Sequence, residues 1–280
     1  MKTICSIAIY SIIGLILLPG CSDQMQMQTQ TVQPDLPGHH GIVYYLDGAG
    51  GGAIVTDWGR GVRKGLKMGG FKGEFVEYKW QTHLGVLADQ DSSVEYKRDK
   101  AVKLATMIAE YAQTHPGEPI NIIGLSAGTA VAVYTLEALP KWCTVDVVIL
   151  LGSSLDAQYN MTKALERVED DLYVFTSSKD GVLGMLVPMT GTADREYAGR
   201  GVAGIKGFIM PRNLDVQARA SYSKIVNVRW QQGFAKTGNF GGHTGGTHPR
   251  FVAEYLTPLL IPEGPRTMYA KHSELVSATK

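Results

Sequence analysis

Ser126 stands in Gly124-Leu125-Ser126-Ala127-Gly128, between the β-branched run from Ile120 to Ile123 and an apolar stretch from Thr129 to Leu139. That pattern predicts a buried strand, a sharp turn and a helix packed on a sheet. The glycines let the backbone close the turn and lift the serine clear of its neighbours. A serine hydroxyl is a poor nucleophile at neutral pH and becomes a useful one beside a general base, itself oriented by a carboxylate. Two acids lie on loops that follow predicted strands: Asp156 after Val145–Leu151 and Asp180 after Leu172–Thr176. Two histidines follow the last predicted strand: His243, among the glycines of residues 240–246, and His248, in Thr247-His248-Pro249. Asp156 directly precedes a predicted helix, where capping is the plainer reading. His248 is pinned by Pro249 at a helix start, where capping or solvation is the plainer reading. His83 and His115 sit in other loops.

The elements that must position these residues alternate along the chain. Ile42–Leu46 predicts a strand ending in Asp47-Gly48-Ala49-Gly50-Gly51-Gly52. A helix follows over Ile54–Lys67, weakened by Gly59, Gly61 and Gly65, then a strand over Glu74–Trp80 and a helix over Val94–Gln113. After the serine turn, a helix over Ala157–Arg167, a strand over Lys224–Trp230 and a terminal helix through Phe251–Leu260 are predicted, with Pro258 near the end of the last. Strands without a polar face, alternating with helices, give an α/β class: a mostly parallel sheet of about six core strands with helices on both faces. Met185–Ser221 breaks the alternation and reads as an insertion, with an extra strand expected over Gly204–Met210. In such a sheet the loops at the carboxyl ends of the strands converge on one edge.

The Gly-x-Ser-x-Gly turn between strand and helix resembles the nucleophile elbow of the α/β-hydrolase superfamily. The resemblance covers roughly Gly41 to Ile261 and implies a compact α/β-hydrolase fold with the chain order serine, acid, histidine. It therefore implies Ser126 as nucleophile, Asp180 as acid ahead of Asp156, and His243 as base ahead of His248. It further implies an oxyanion hole from the Ala127 amide and an amide of the loop after the first strand, with Ala49 first and Gly50 next. Asp47 stands where many relatives have a histidine. The activity implied is hydrolysis of a carboxylic ester of a small acyl substrate, with short, water-soluble esters preferred because the insertion is polar and glycine-broken. An amidase or peptidase with the same triad is the alternative, as is a non-catalytic binding lipoprotein of this fold. No cofactor and no metal are expected. The glycine-rich loop lacks the Gly-Lys-Ser/Thr of a phosphate loop and the spacing of a dinucleotide site.

At 280 residues and 44% hydrophobic content the chain can build one sizeable core. A formal charge of +1 with no Lys/Arg run gives no electrostatic case for nucleic acid. Lys2 followed by an apolar stretch to Leu18 suits a signal segment and is short for a spanning helix. Leu18-Pro19-Gly20-Cys21 resembles a bacterial lipobox, which implies a lipidated Cys21 and a membrane-tethered envelope protein. Ser22 after the cysteine favours the outer membrane by the same resemblance. The expected organisation is a signal peptide over 1–20, a flexible linker over 21–40, the hydrolase domain over 41–262 and a tail over 263–280. Cys143 is then left as a small buried hydrophobe.

Overall fold

The computed structural model describes residues 40–51, 57–82, 88–89, 92–195 and 201–261. The signal segment, the linker before His40, Cys21 and the tail lie outside them. Six strands are formed: β1 (Ile42–Leu46), β2 (Glu74–Glu77), β3 (Ile120–Leu125), β4 (Val147–Leu151), β5 (Leu172–Thr176) and β6 (Ile225–Arg229). They make one all-parallel sheet in the order β2-β1-β3-β4-β5-β6. Every residue of β1, β3, β4 and β5 is buried, whereas β2 and β6 keep exposed positions, as edge strands do.

Alternation along the buried strands sends side chains to two cores. Tyr44, Ile122, Leu150 and Val174 face one side, with Leu104 and Ile108 of the Val94–Thr114 helix and Val131 of the Gly128–Ala138 helix. Val43, Ile123, Leu151 and Phe175 face the other, with Val62 and Leu66 of the Trp58–Met68 helix and Phe251 and Leu256 near the carboxyl end. Right-handed crossovers account for this division. The path steps outward from β1 to β2 and then back past β1 to β3, so the helices on those two legs fall on opposite faces.

The glycines that weaken the Trp58–Met68 helix have a packing reason. A Cβ on Gly65 would come within 2.4 Å of Val252 Cβ and 2.6 Å of the Pro249 carbonyl, and one on Gly61 within 2.4 Å of the Thr247 carbonyl. The missing side chains let this helix and the terminal segment approach closely. That segment runs Pro249–Phe251, widens to a π-helix over Val252–Leu256 and continues over Thr257–Leu260. Pro258 does not end it, because the wide turn displaces the carbonyl that the proline ring would strike. Thr257 gives both its N–H and its hydroxyl to the Val252 carbonyl.

Two expectations fail. The helix over Ala157–Arg167 shrinks to Thr162–Leu165, because Asp156 and Gln158 close an Asx turn (Gln158 N–H to Asp156 Oδ1, 2.7 Å) that holds the chain off the helical path. The strand over Gly204–Met210 is absent; Ala203–Lys206 is a helical turn, closed by Gly207 at a φ of 82°. Among the described residues no helix is long and apolar enough to cross a membrane.

Gly65→Ala should therefore destabilise the protein by about 1–3 kcal/mol through overpacking. Gly184→Ala, in the Gly181–Thr190 helix with open space around it, should stabilise by about 0.5–1 kcal/mol. Urea unfolding of both variants checks this, and Gly65→Ala matching wild type would contradict the close helix approach.

Candidate active site

β3 ends at Leu125, and Ser126 turns the chain with a φ of 52°, in the left-handed region. Its N–H donates to the Leu151 carbonyl at the end of β4, and its carbonyl accepts from the Thr129 N–H and hydroxyl. A non-glycine residue held at positive φ stores strain that its surroundings must enforce. The flanking glycines are steric requirements. A Cβ on Gly128 would lie 2.4 Å from the Asp47 carbonyl oxygen, and one on Gly124 would lie 3.1 Å from Thr129 Cα. The end of β1 thus presses directly on the serine turn.

Asp180 follows β5 and is buried, and both of its oxygens are engaged. Oδ1 accepts the Leu183 N–H at 2.9 Å, capping the Gly181–Thr190 helix, and Oδ2 lies 2.7 Å from His243 Nδ1. When the carboxylate is ionised the shared proton sits on Nδ1, which leaves Nε2 with its lone pair. His243 is 11% exposed in its side chain, on a loop fastened by Ser177 Oγ donating to the Gly241 carbonyl and by the Gly241 N–H donating to Asn239 Oδ1. Gly152 ties this pair to the serine turn. It follows Leu151, and a Cβ there would stand 3.2 Å from Asp180 Oδ2 and 3.3 Å from His243 Nδ1.

The structure thus brings Asp180 and His243 into contact at the sheet edge that carries Ser126. Among the described residues Ser126 Oγ has no hydrogen-bond partner, so a serine–histidine hydrogen bond is not formed. The rivals are used elsewhere. Asp156 Oδ1 accepts the Gln158 N–H while its own N–H donates to Asp194 Oδ1, and His248 is exposed against Gly238.

In the loop after β1, Gly48 N–H donates to Asp47 Oδ1, Gly50 N–H to Asp89 Oδ2 and Gly51 N–H to the Gly48 carbonyl. Among the described residues the Ala49 and Ala127 N–H groups have no acceptor, and Ala127 is fully buried. Unpaired buried N–H groups are rare and mark places where a ligand atom can be received. Gly50, the second choice from sequence, is already engaged by Asp89.

Sequence reasoning missed Asp89 and the depth at which Asp47 sits. Asp47 is 1% exposed and its Oδ1 accepts the Tyr45 hydroxyl and the Gly48 N–H, while among the described residues its Oδ2 makes no hydrogen bond. Burial raises its pKa to about 6, against the pull of those hydrogen bonds. A cavity of about 30 Å³ lies behind the pair, lined by Gly152, Phe175, Asp180, Trp230 and His243. It has room for a water. Among the described residues no group of three or more His, Cys, Asp or Glu is placed to hold a metal ion.

No family model and no curated protein matches this chain. Among solved structures it is similar, at 13% identity and a TM-score of 0.41, to a cutinase-like protein from Cryptococcus sp., covering 78% of this chain and 91% of that one. It is similar, at 12% identity and a TM-score of 0.42, to the esterase domain of a Rhodothermus marinus protein, covering 80% and 87%. Likeness of this degree assigns no activity.

The buried Asp47 carboxyl makes stability depend on pH. Its folded pKa lies above the unfolded one, so its favourable neutral form contributes at low pH and is lost as pH rises through about 6. Asp47→Asn carries no such charge and should gain on wild type by about 2 kcal/mol between pH 4.5 and pH 8. Urea titrations at the two pH values measure it, and a constant difference would contradict the buried charge.

Proposed function

We propose that this chain is a serine hydrolase of carboxylic esters, with Ser126 as nucleophile, His243 as general base and Asp180 as its orienting acid. The observation that carries the reading is the 2.7 Å contact between Asp180 Oδ2 and His243 Nδ1, on the sheet edge where Ser126 is held at positive φ. Ser126 Oγ attacks the ester carbonyl carbon as its proton passes to His243 Nε2. The carbonyl oxygen becomes an oxyanion, received by the Ala49 and Ala127 N–H groups. Collapse expels the alcohol, which takes the proton from Nε2 and leaves an acyl ester on Ser126. Water, deprotonated by the same nitrogen, then attacks that ester, releases the carboxylic acid and restores the serine. Short, water-soluble esters are the substrates expected, because the stretch from Met185 to Ser221 is polar and glycine-broken.

Turnover of p-nitrophenyl butyrate and labelling by a fluorophosphonate test the assignment. Ser126→Ala should abolish both. His243→Ala and Asp180→Asn should each lower kcat by about 10⁴-fold, while Asp156→Asn and His248→Ala stay within a few-fold of wild type. Labelling at Ser126 without turnover of any ester moves the substrate class to amides, and absence of labelling overturns the nucleophile.

The lipobox-like residues 18–21 support a second part of the proposal: Cys21 carries lipid and tethers the domain to a membrane of the bacterial envelope. Labelled fatty acid should be incorporated by wild type and not by Cys21→Ser, and the variant should leave the membrane fraction. Recovery of wild type free of lipid contradicts the tether.

A further inference from the structure

Ala49 can offer its N–H to a substrate only if the rest of its loop is held still, and the residues that hold it come from outside the loop. Gly48 to Gly51 form a tight turn closed by the Gly51 N–H on the Gly48 carbonyl, with Gly50 at a φ of 71°. Positive φ at the third position marks a type II turn, which differs from type I by a flip of the central peptide. Here that peptide joins Ala49 to Gly50, so the direction of the Gly50 N–H reports which turn is present.

Asp89 takes that N–H at 2.7 Å through Oδ2. Its Oδ1 accepts the Thr82 N–H and hydroxyl, both at 2.6 Å. The carboxylate is 1% exposed, and these donors reach both of its oxygens. The stretch leaving β2 adds two more ties: Trp80 Nε1 donates to the Asp47 carbonyl and Gln81 Nε2 to the Gly48 carbonyl. Both carbonyls flanking the turn's start and the Gly50 amide are thereby fixed to residues 80–89, and the Ala49 amide is left over.

We propose that Asp89 is the positioning residue of the oxyanion hole: it clamps the second half of the turn through the Gly50 amide while Gln81 holds the Gly48 carbonyl, which shares its peptide with the Ala49 N–H, and together they present that N–H to the substrate carbonyl. The proposal rests on the serine-hydrolase reading above and adds the residue on which its second oxyanion donor depends. Asp89 touches no reacting atom. An amide cannot replace it, because Gly50 and Thr82 both donate and an asparagine would turn its NH₂ on one of them.

Asp89→Asn tests it, and persistent labelling of Ser126 together with wild-type exchange protection of the central strands sets its effect apart from a loss of folding. In steady-state ester hydrolysis kcat should fall about 100-fold with KM within two-fold, the signature of a lost transition-state donor. Inhibition by a boronic acid, which forms a tetrahedral adduct on the serine, should weaken by a similar factor. Fluorophosphonate labelling should persist, since the nucleophile is untouched. Independently of activity, the Gly50 amide proton should exchange slowly in wild type and rapidly in Asp89→Asn. Wild-type kcat and wild-type Gly50 protection in the variant overturn the proposal, as does a rise in KM at constant kcat. If wild type neither labels nor turns over ester, the serine-hydrolase reading fails instead, and Gly50 exchange still decides whether Asp89 holds the turn.

Discussion

A carboxylate buried at the end of a strand must find donors for both oxygens, and Asp180 meets that demand with a helix N-terminus on one side and an imidazole on the other. The rest of the site is arranged around this. The Leu183 N–H fixes the start of the Gly181–Thr190 helix, and the imidazole fixes where the residue 240–246 loop can lie. Because β3, β4 and β5 are parallel and in register, Ser126, Gly152 and Asp180 emerge on one edge. Gly152 then sits close against the Asp180–His243 pair, at a φ of 52° that disfavours a side chain.

The loop after β1 follows the same accounting with a different outcome. Asp89 is supplied with three donors, which meet both of its oxygens. Asp47 receives two donors on one oxygen and, among the described residues, no hydrogen bond on the other, and its burial raises its pKa. The two aspartates bracket Ala49: one shapes the entry to the turn and the other its exit. The loop after β1 is thus built around two carboxylates.

The buried β-branched runs made the strands legible, since all-apolar segments between helices leave few alternatives to a covered parallel sheet. The meeting of Asp180 and His243 on the edge that carries Ser126 was legible because motif and chain order narrow each of them to a loop. Which of the Ala49 and Gly50 amides is left without an acceptor was not legible, since nothing in the sequence around residues 47–52 reveals that Gly50 is taken. That information sits in Asp89, a single acid in a stretch with no periodic signal. The same limit explains the failures around Ala157 and Gly204, where turn chemistry at Asp156 and Gly207 overrode apolar composition. Gly61 and Gly65 read as defects in a helix and proved to be the surface on which the terminal helix rests. Close approach between distant segments leaves no mark on the sequence of either one alone.

In the proposed hydrolysis four groups meet one reacting centre, and a crystal structure of the phosphonylated protein measures that meeting directly. The phosphorus should be bonded to Ser126 Oγ, with the phosphoryl oxygen about 2.7–3.1 Å from both the Ala49 and Ala127 nitrogens and His243 Nε2 facing the serine oxygen while Nδ1 keeps Asp180. Phosphorus on another residue, or a phosphoryl oxygen turned away from Ala49 and Ala127, would contradict it.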